Sequence, residues 1–197
     1  MDRVQPLLRR FLLSLAVLMP LSTAASAAPF GSAADVNFAT QLWQKMEAAR
    51  MVGPGATAQE PFFGGAKPHG MILELAFQLL DMQGHEGFVV VKKNYNGEGV
   101  SVEAVRENRA AYLHSYTVMF QRAKGYDTQN NNWFWAKYDK DGNLIQKVVN
   151  GSALLIAGRV AKGKTPDENG GCIYCHSSAG GGDYIFYPHI QLPGFKP

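Results

Sequence analysis

Near the C-terminus, two cysteines and a histidine occur together in the pentapeptide Cys172-Ile173-Tyr174-Cys175-His176. C-x-x-C-H is the attachment motif of a c-type haem. Each thiol can add to one haem vinyl group and form a thioether bond, and the histidine that follows can bind the iron through an imidazole nitrogen. The motif therefore predicts one covalently attached haem, with His176 as an axial ligand of the iron.

Three other uses of the cysteine pair fit the sequence less well. A dithiol redox pair has the same C-x-x-C spacing, but it normally opens a helix in a βαβ setting, and no such pattern surrounds this pair. A structural zinc site needs a second pair of ligands, and the chain has only two cysteines. A disulfide would leave the position of His176 as a coincidence.

The N-terminus has the features of a secretory signal peptide. Its first ten residues include three arginines. An apolar run over residues 11–21 follows, which is short for a membrane span, and small residues at Ala25-Ser26-Ala27 offer a cleavage site. An uncleaved anchor is the alternative. We predict a signal peptide over residues 1–27 and one haem domain over residues 28–197, exported to the periplasm.

The charge of the predicted mature chain argues against a nucleic-acid partner. The full chain has 19 Lys and Arg and 16 Asp and Glu, of which residues 1–27 hold three and one, so that 16 and 15 remain. A nearly neutral domain offers no basic surface to a polyanion. No second apolar stretch is long enough for a membrane helix, so we expect no membrane association after cleavage.

A β-rich body precedes the haem motif and must position it. Apolar residues at helical spacing predict one helix over residues 32–51, capped by Asp35, and mixed charges over residues 100–113 indicate a short second helix. Alternating or continuous apolar runs predict strands over residues 71–79 (whose leucines also suit a helix), 87–95, 116–121, and a three-stranded antiparallel meander over 133–160. The predicted fold class is α+β: an antiparallel β-sheet with packing helices, in one domain.

One lysine in this body has an unexpected position. Lys92 follows the Val89-Val90-Val91 run and lies on the same strand face as Phe88 and Val90. The ordinary explanation is a side chain whose stem is buried and whose amine reaches water.

Aromatic residues and one loop histidine are further candidates for the site. Trp133 and Trp135 fall on one face of their strand, and that face could form a wall of the haem pocket, so Trp133 is predicted to contact the cofactor. His69 lies in the loop before residues 71–79. A lone loop histidine is usually solvated, so we expect His69 to lie in water rather than at the iron.

Four segments together resemble the cytochrome P-460 family, which consists of exported mono-haem proteins with a late C-x-x-C-H motif. They cover residues 87–92, 117–126, 132–138, and 171–176 with the Gly-Gly-Asp-Tyr-Ile-Phe that follows. The resemblance implies an α+β fold on an antiparallel sheet, usually in a homodimer, and a haem whose macrocycle is bonded to a lysine. Lys92 is the matching position. It also implies oxidation of hydroxylamine or nitric oxide, with electrons passed to a periplasmic acceptor.

A sister group, cytochrome c-prime-beta, implies a different function. It shares the fold, lacks the lysine bond and binds nitric oxide or carbon monoxide; the presence of Lys92 favours the cross-linked branch. However, hydroxylamine-oxidising members place a carboxylate over the distal face, and the matching residues 118–121 contain none. Glu103 and Glu107 are the acidic candidates, and an apolar wall that includes Phe120 would suit a diatomic ligand.

Simple electron transfer is the third alternative. It requires a strong sixth ligand to the iron, for which His189 and Met119 are the first candidates to test.

Overall fold

The long strands lie where the sequence has alternating or continuous apolar runs. The structure, a computed structural model, describes residues 30–65, 69–149, 151–160, 171–180 and 182–186. The predicted signal peptide over residues 1–27 lies outside them. The strands are β1 (Phe62–Phe63), β2 (Ile72–Met82), β3 (His85–Tyr95), β4 (Leu113–Gln121), β5 (Trp133–Asp139), β6 (Gln146–Val149), β7 (Ser152–Leu155) and β8 (Ala157–Gly158). The helices are α1 (Ala33–Ala48), α2 (Val102–Glu107), α3 (Arg109–Tyr112) and α4 (Cys172–His176), with a 3₁₀ turn at Thr128–Asn130.

Six of these strands form one antiparallel sheet in the order β1-β2-β3-β4-β5-β8. The predicted α+β class in one domain is confirmed, and so are the predicted strands that correspond to β2, β3, β4 and β5. β2 and β3 are joined by Gln83 and Gly84, which both have positive φ, as a tight two-residue hairpin turn requires. Within the described ranges, no helix is long and apolar enough to cross a membrane.

Helix α1 begins one residue later than predicted and is capped by a different side chain. The N-cap is Ser32, whose Oγ accepts a hydrogen bond from the Asp35 N–H at 3.2 Å. The Ser32 hydroxyl in turn donates to the Asp35 carboxylate at 2.7 Å. The prediction that Asp35 caps the helix is therefore wrong: a hydroxyl three residues earlier is better placed to satisfy the free N–H groups of the first turn.

The predicted meander over residues 133–160 is wrong in its strand order. β6 does not extend the main sheet: it pairs with β7 in a separate two-stranded sheet, and β8 pairs with β5 instead. The hairpin over residues 139–142 does form, and Ile145 N–H donates to the Lys137 carbonyl at 2.9 Å. Beyond that point Lys137 N–H donates to the Ile156 carbonyl at 3.1 Å. Because β8 uses the next backbone groups of β5, β6 must diverge.

The two faces of the sheet carry two separate hydrophobic clusters. On one face, α1 packs against alternate residues of β3, β4 and β5, including Val89, Phe120 and Phe134. On the opposite face, α4 packs its Ile173 against a second set of alternate residues, which are Phe88, Val90, Met119, Trp133 and Trp135. In the register of the sheet Val90 pairs with Met119, and Met119 pairs with Trp135. The haem motif is thus held against the sheet face that α1 leaves open.

Candidate haem site

The two cysteines lie one turn apart on the short helix α4, both with free thiols. Residues three apart lie on the same side of a helix, so both thiols can approach one ligand. Cys172 is half-buried and Cys175 is exposed, whereas His176 at the end of the helix is only 5% exposed. Burial raises the pKa of the Cys172 thiol, which is therefore protonated at neutral pH.

His176 is held in one orientation by a backbone group. Its Nδ1 lies 2.6 Å from the carbonyl oxygen of Tyr184. A carbonyl can only accept, so Nδ1 carries the proton and Nε2 keeps a free lone pair. The Trp135 ring centroid lies 5.1 Å away and that of Phe186 lies 5.5 Å away. Burial, with a smaller effect of the Lys92 charge, lowers the pKa of His176 to about 4, which keeps the imidazole in the neutral form that binds metals.

A cleft lies between α4 and the sheet. It consists of two adjoining cavities that share Val90, Lys92, Met119 and His176, and the larger one encloses about 570 Å³, part of it open to solvent. Cys172 and Trp135 line the smaller cavity, together with His69 and Thr117. The cleft therefore brings together three of the predicted site residues: Lys92, Cys172 and His176.

Lys92 is the lysine of this cleft. It is half-buried between the apolar walls, and burial lowers the pKa of its ammonium group. A lower pKa means a larger fraction of free amine, which is the nucleophilic form. The neighbouring Lys93 points to the other face of the sheet, where its Nζ lies 3.1 Å from Glu74 Oε2. The strand register therefore assigns Lys92, and not Lys93, to the site.

His69 also belongs to the cleft, and the expectation that it lies in water is wrong. It is half-buried in the smaller cavity, where its Nδ1 lies 3.3 Å from Asn94 Oδ1 and 3.1 Å from Thr117 Oγ1. Desolvation, followed by the charges of Lys92 and His176, lowers its pKa to about 4. The signal in the sequence was indirect: Asn94 falls on the same strand face as Lys92 and is too polar to be buried without a partner.

Trp133 lies on the cleft face of β5, but it does not line the cavities. Its indole N–H donates to the Asp183 carbonyl at 3.0 Å, so it braces the segment that follows the haem motif. Trp135, two residues further on, lines the smaller cavity. Its Nε1 is buried, and among the described residues it has no hydrogen-bond partner.

Phe120 does not contact the cleft, so its prediction as a pocket wall is wrong. It is buried on the α1 face of the sheet, where its ring centroid lies 5.7 Å from that of Phe38. Successive side chains of a strand point to opposite faces. Met119 therefore takes the place predicted for Phe120, and it lines both cavities.

The candidate acids lie elsewhere. Glu103 and Glu107 are exposed on α2, and Glu103 pairs with Arg106 at 3.7 Å. No Asp or Glu occurs among the described residues that line the two cavities. Of the two sixth-ligand candidates, Met119 lines the cleft and His189 lies outside the described residues.

The residues present fit a c-type haem. A c-type haem needs two free thiols, a histidine nitrogen with a free lone pair and apolar walls. Cys172 and Cys175, Nε2 of His176 and the lining of the cleft meet these needs. The indole N–H of Trp135, which has no partner among the described residues, could donate a hydrogen bond to the cofactor. In the described part of the chain, no group of three or more His, Cys, Asp or Glu is placed to hold a metal ion by itself.

No family model, curated protein or solved structure matches the chain. The resemblance to cytochrome P-460 therefore rests on the four sequence segments alone.

Proposed function

We propose that the protein is an exported c-type haem protein that binds a small nitrogenous or diatomic molecule at the haem iron. The observation that carries this proposal is the cleft beside α4, into which the His176 side chain projects with Nδ1 engaged and Nε2 free. Cys172 and Cys175 would hold the haem through thioether bonds, and His176 would bind its iron. When bound, the haem supplies a redox-active metal that can take one small ligand.

Lys92 would hold the same haem at a second point, as the resemblance implies. Its half-buried amine has a lowered pKa and lies in the cleft beside Cys172, whose ionisation it influences. Replacing a C–H bond of the macrocycle by a C–N bond to Nζ releases two protons and two electrons. The bond therefore requires an oxidant of the dioxygen or peroxide class to accept the electrons.

The reaction class implied by the resemblance is oxidation of hydroxylamine or nitric oxide, with electrons leaving to a periplasmic acceptor. A general base would have to lie within hydrogen-bond reach of the proton that it takes. His69 lines the smaller cavity, and its second ring nitrogen could take such a proton only while that nitrogen is not bound to the iron.

Binding of nitric oxide or carbon monoxide without turnover is the second candidate. The specific observation in its favour is the lining of the cleft by Val90, Met119 and Trp135, with no carboxylate among the described lining residues. These three side chains offer no proton acceptor to a substrate that must lose protons.

The first experiment combines the intact mass of the purified protein with its absorption spectrum after reduction. The proposal predicts a mass increased by one haem, and loss of this increase in the Cys172→Ala, Cys175→Ala double variant. A main band shifted strongly to the red of an ordinary c-type haem would support the Lys92 bond, and hydroxylamine turnover with an artificial electron acceptor would then separate oxidation from simple binding. A protein that matures without haem, in cells that attach haem to a control cytochrome, would refute the proposal.

A further inference from the structure

Two histidines line the smaller cavity of the cleft, with their rings close together. The ring centroids of His69 and His176 lie 6.3 Å apart, and both residues line the cavity together with Lys92 and Cys172. His69 precedes β2 and His176 ends α4, so they come from distant parts of the chain. Nothing in local sequence requires them to meet.

The hydrogen bonds around His69 determine which of its nitrogens is free. Asn94 is fully buried, and its Nδ2 donates to Ser115 Oγ at 3.2 Å and to Thr117 Oγ1 at 3.4 Å. Its Oδ1 is left to accept, and it lies 3.3 Å from His69 Nδ1. The proton of His69 is therefore on Nδ1, and Nε2 has a free lone pair. His176 has the same arrangement, with the Tyr184 carbonyl as the acceptor.

A buried histidine that donates from one ring nitrogen to a fixed acceptor is the usual arrangement of a metal ligand, since the acceptor fixes the tautomer and the ring orientation. Asn94 and Thr117 supply that fixed acceptor pair for His69, and both are on strands of the sheet rather than on a loop. The ring is thus held by side chains of the sheet itself.

The separation of the two rings matches one metal between them. A metal–nitrogen bond of about 2.0 Å and about 1.15 Å from ring nitrogen to ring centre place two imidazoles on opposite sides of one metal about 6.3 Å apart. Two histidines alone make a poor metal site, and the described residues provide no third ligand. A haem iron, which brings four nitrogens of its own, needs only these two.

We propose that His69 is the second axial ligand of the haem iron, opposite His176, and that an incoming small molecule must displace it. This inference rests on the proposed function, because it presupposes the haem held by α4. Asn94 and Thr117 are then positioning residues for the displaceable ligand. In the resting protein the iron would then have six ligands. A small molecule could bind only after His69 has left the iron, which slows its binding.

The test uses the purified full-length protein after its mass has shown one attached haem. Electron paramagnetic resonance and absorption of the oxidised protein should show a low-spin iron with two imidazole ligands. His69→Ala should convert the iron to high spin, and imidazole added to the solution should restore the low-spin signal. His114→Ala, at an exposed histidine of β4, is the matched control and should leave the signal unchanged.

Ligand kinetics and a conservative variant provide independent readouts. Carbon monoxide can bind only to the fraction of reduced protein in which His69 is off the iron. If that fraction is about a tenth or less, His69→Ala should raise the rate of carbon monoxide binding about tenfold or more. His69→Met should keep six ligands and raise the reduction potential. A high-spin wild-type iron, or a low-spin signal that survives His69→Ala, would overturn the inference while leaving the proposed function in place. A mass without haem would instead overturn the proposed function, and this inference with it.

Discussion

Lys92 and Lys93 are neighbours in β3, but their side chains lie on opposite faces of the sheet. Lys92 lines the cleft beside α4, whereas Lys93 is buried on the other face, with its Nζ 3.1 Å from Glu74 Oε2 and 2.9 Å from the Thr57 carbonyl. The alternation of side chains along a strand produces this separation. A substitution of Lys93 can therefore serve as the control for the same substitution of Lys92.

The first prediction concerns the bond between haem and lysine. After proteolysis, mass spectrometry should find the haem linked both to the peptide of Cys172 and Cys175 and to the peptide of β3. Lys92→Met should remove the β3 peptide from this adduct and move the reduced absorption band to that of an ordinary c-type haem. Lys93→Met should keep the adduct, because its amine lies on the other face. A cross-link that persists without Lys92 would contradict the assignment.

The strands were predictable because burial determines their pattern. Val89, Val90 and Val91 are all buried, since β3 is covered on both faces by α1 and by the cleft elements. The place of β8 beside β5 was not predictable, because that pairing depends on a competition for backbone groups between segments far apart in the chain. A local pattern carries no information on such a choice.

The site shows the same division. The C-x-x-C-H motif follows from spacing alone, whereas the choice between Lys92 and Lys93 needs the strand register of the structure. The choice between Met119 and Phe120 could not be predicted, because alternation along β4 gives two faces without saying which one lies against the cleft. The pairing of Val90 with Met119 in the structure puts Met119 on the face of Lys92. His69 was missed for a similar reason: its partners Asn94 and Thr117 belong to strands that are 25 and 48 residues away.

The second prediction concerns the buried ion pair of Glu74 and Lys93, which lies on the face of the sheet opposite the cleft. Glu74 is fully buried, and its two oxygens lie 3.1 Å from Lys93 Nζ and 2.6 Å from Arg109 Nε. Glu74→Gln would leave the buried Lys93 without its charge partner, and we expect a loss of about 3–5 kcal/mol in the free energy of unfolding. Urea denaturation measures this. Glu60→Gln, which removes an exposed pair with Arg106, should change the stability little, and equal effects of the two variants would contradict the argument.

The third prediction separates the two faces of β4. Phe120→Ala removes a ring buried against Phe38, and it should lower the free energy of unfolding by about 3–5 kcal/mol without changing the spectrum of the haem. Met119→Ala enlarges the cleft itself. It should alter the rate of carbon monoxide binding at a smaller loss of stability, because the cavity that it leaves is partly open. The assignment of faces would fail if Phe120→Ala altered the ligand kinetics and Met119→Ala did not.

The last prediction concerns the homodimer that the resemblance implies, which we propose to form through exposed apolar side chains of β2. Phe77 is 42% exposed and Leu79 is 44% exposed, and both lie on the cleft face of the sheet, where Phe77 packs at 6.0 Å from the Phe88 ring. Adjacent exposed apolar side chains on a strand near the sheet edge favour association. Leu79→Glu should therefore shift the protein from dimer to monomer in sedimentation velocity. Val148→Glu, at a residue that is 69% exposed in the separate two-stranded sheet, should leave the dimer intact. A wild-type monomer, or a dimer that tolerates Leu79→Glu, would rule out this surface as the interface.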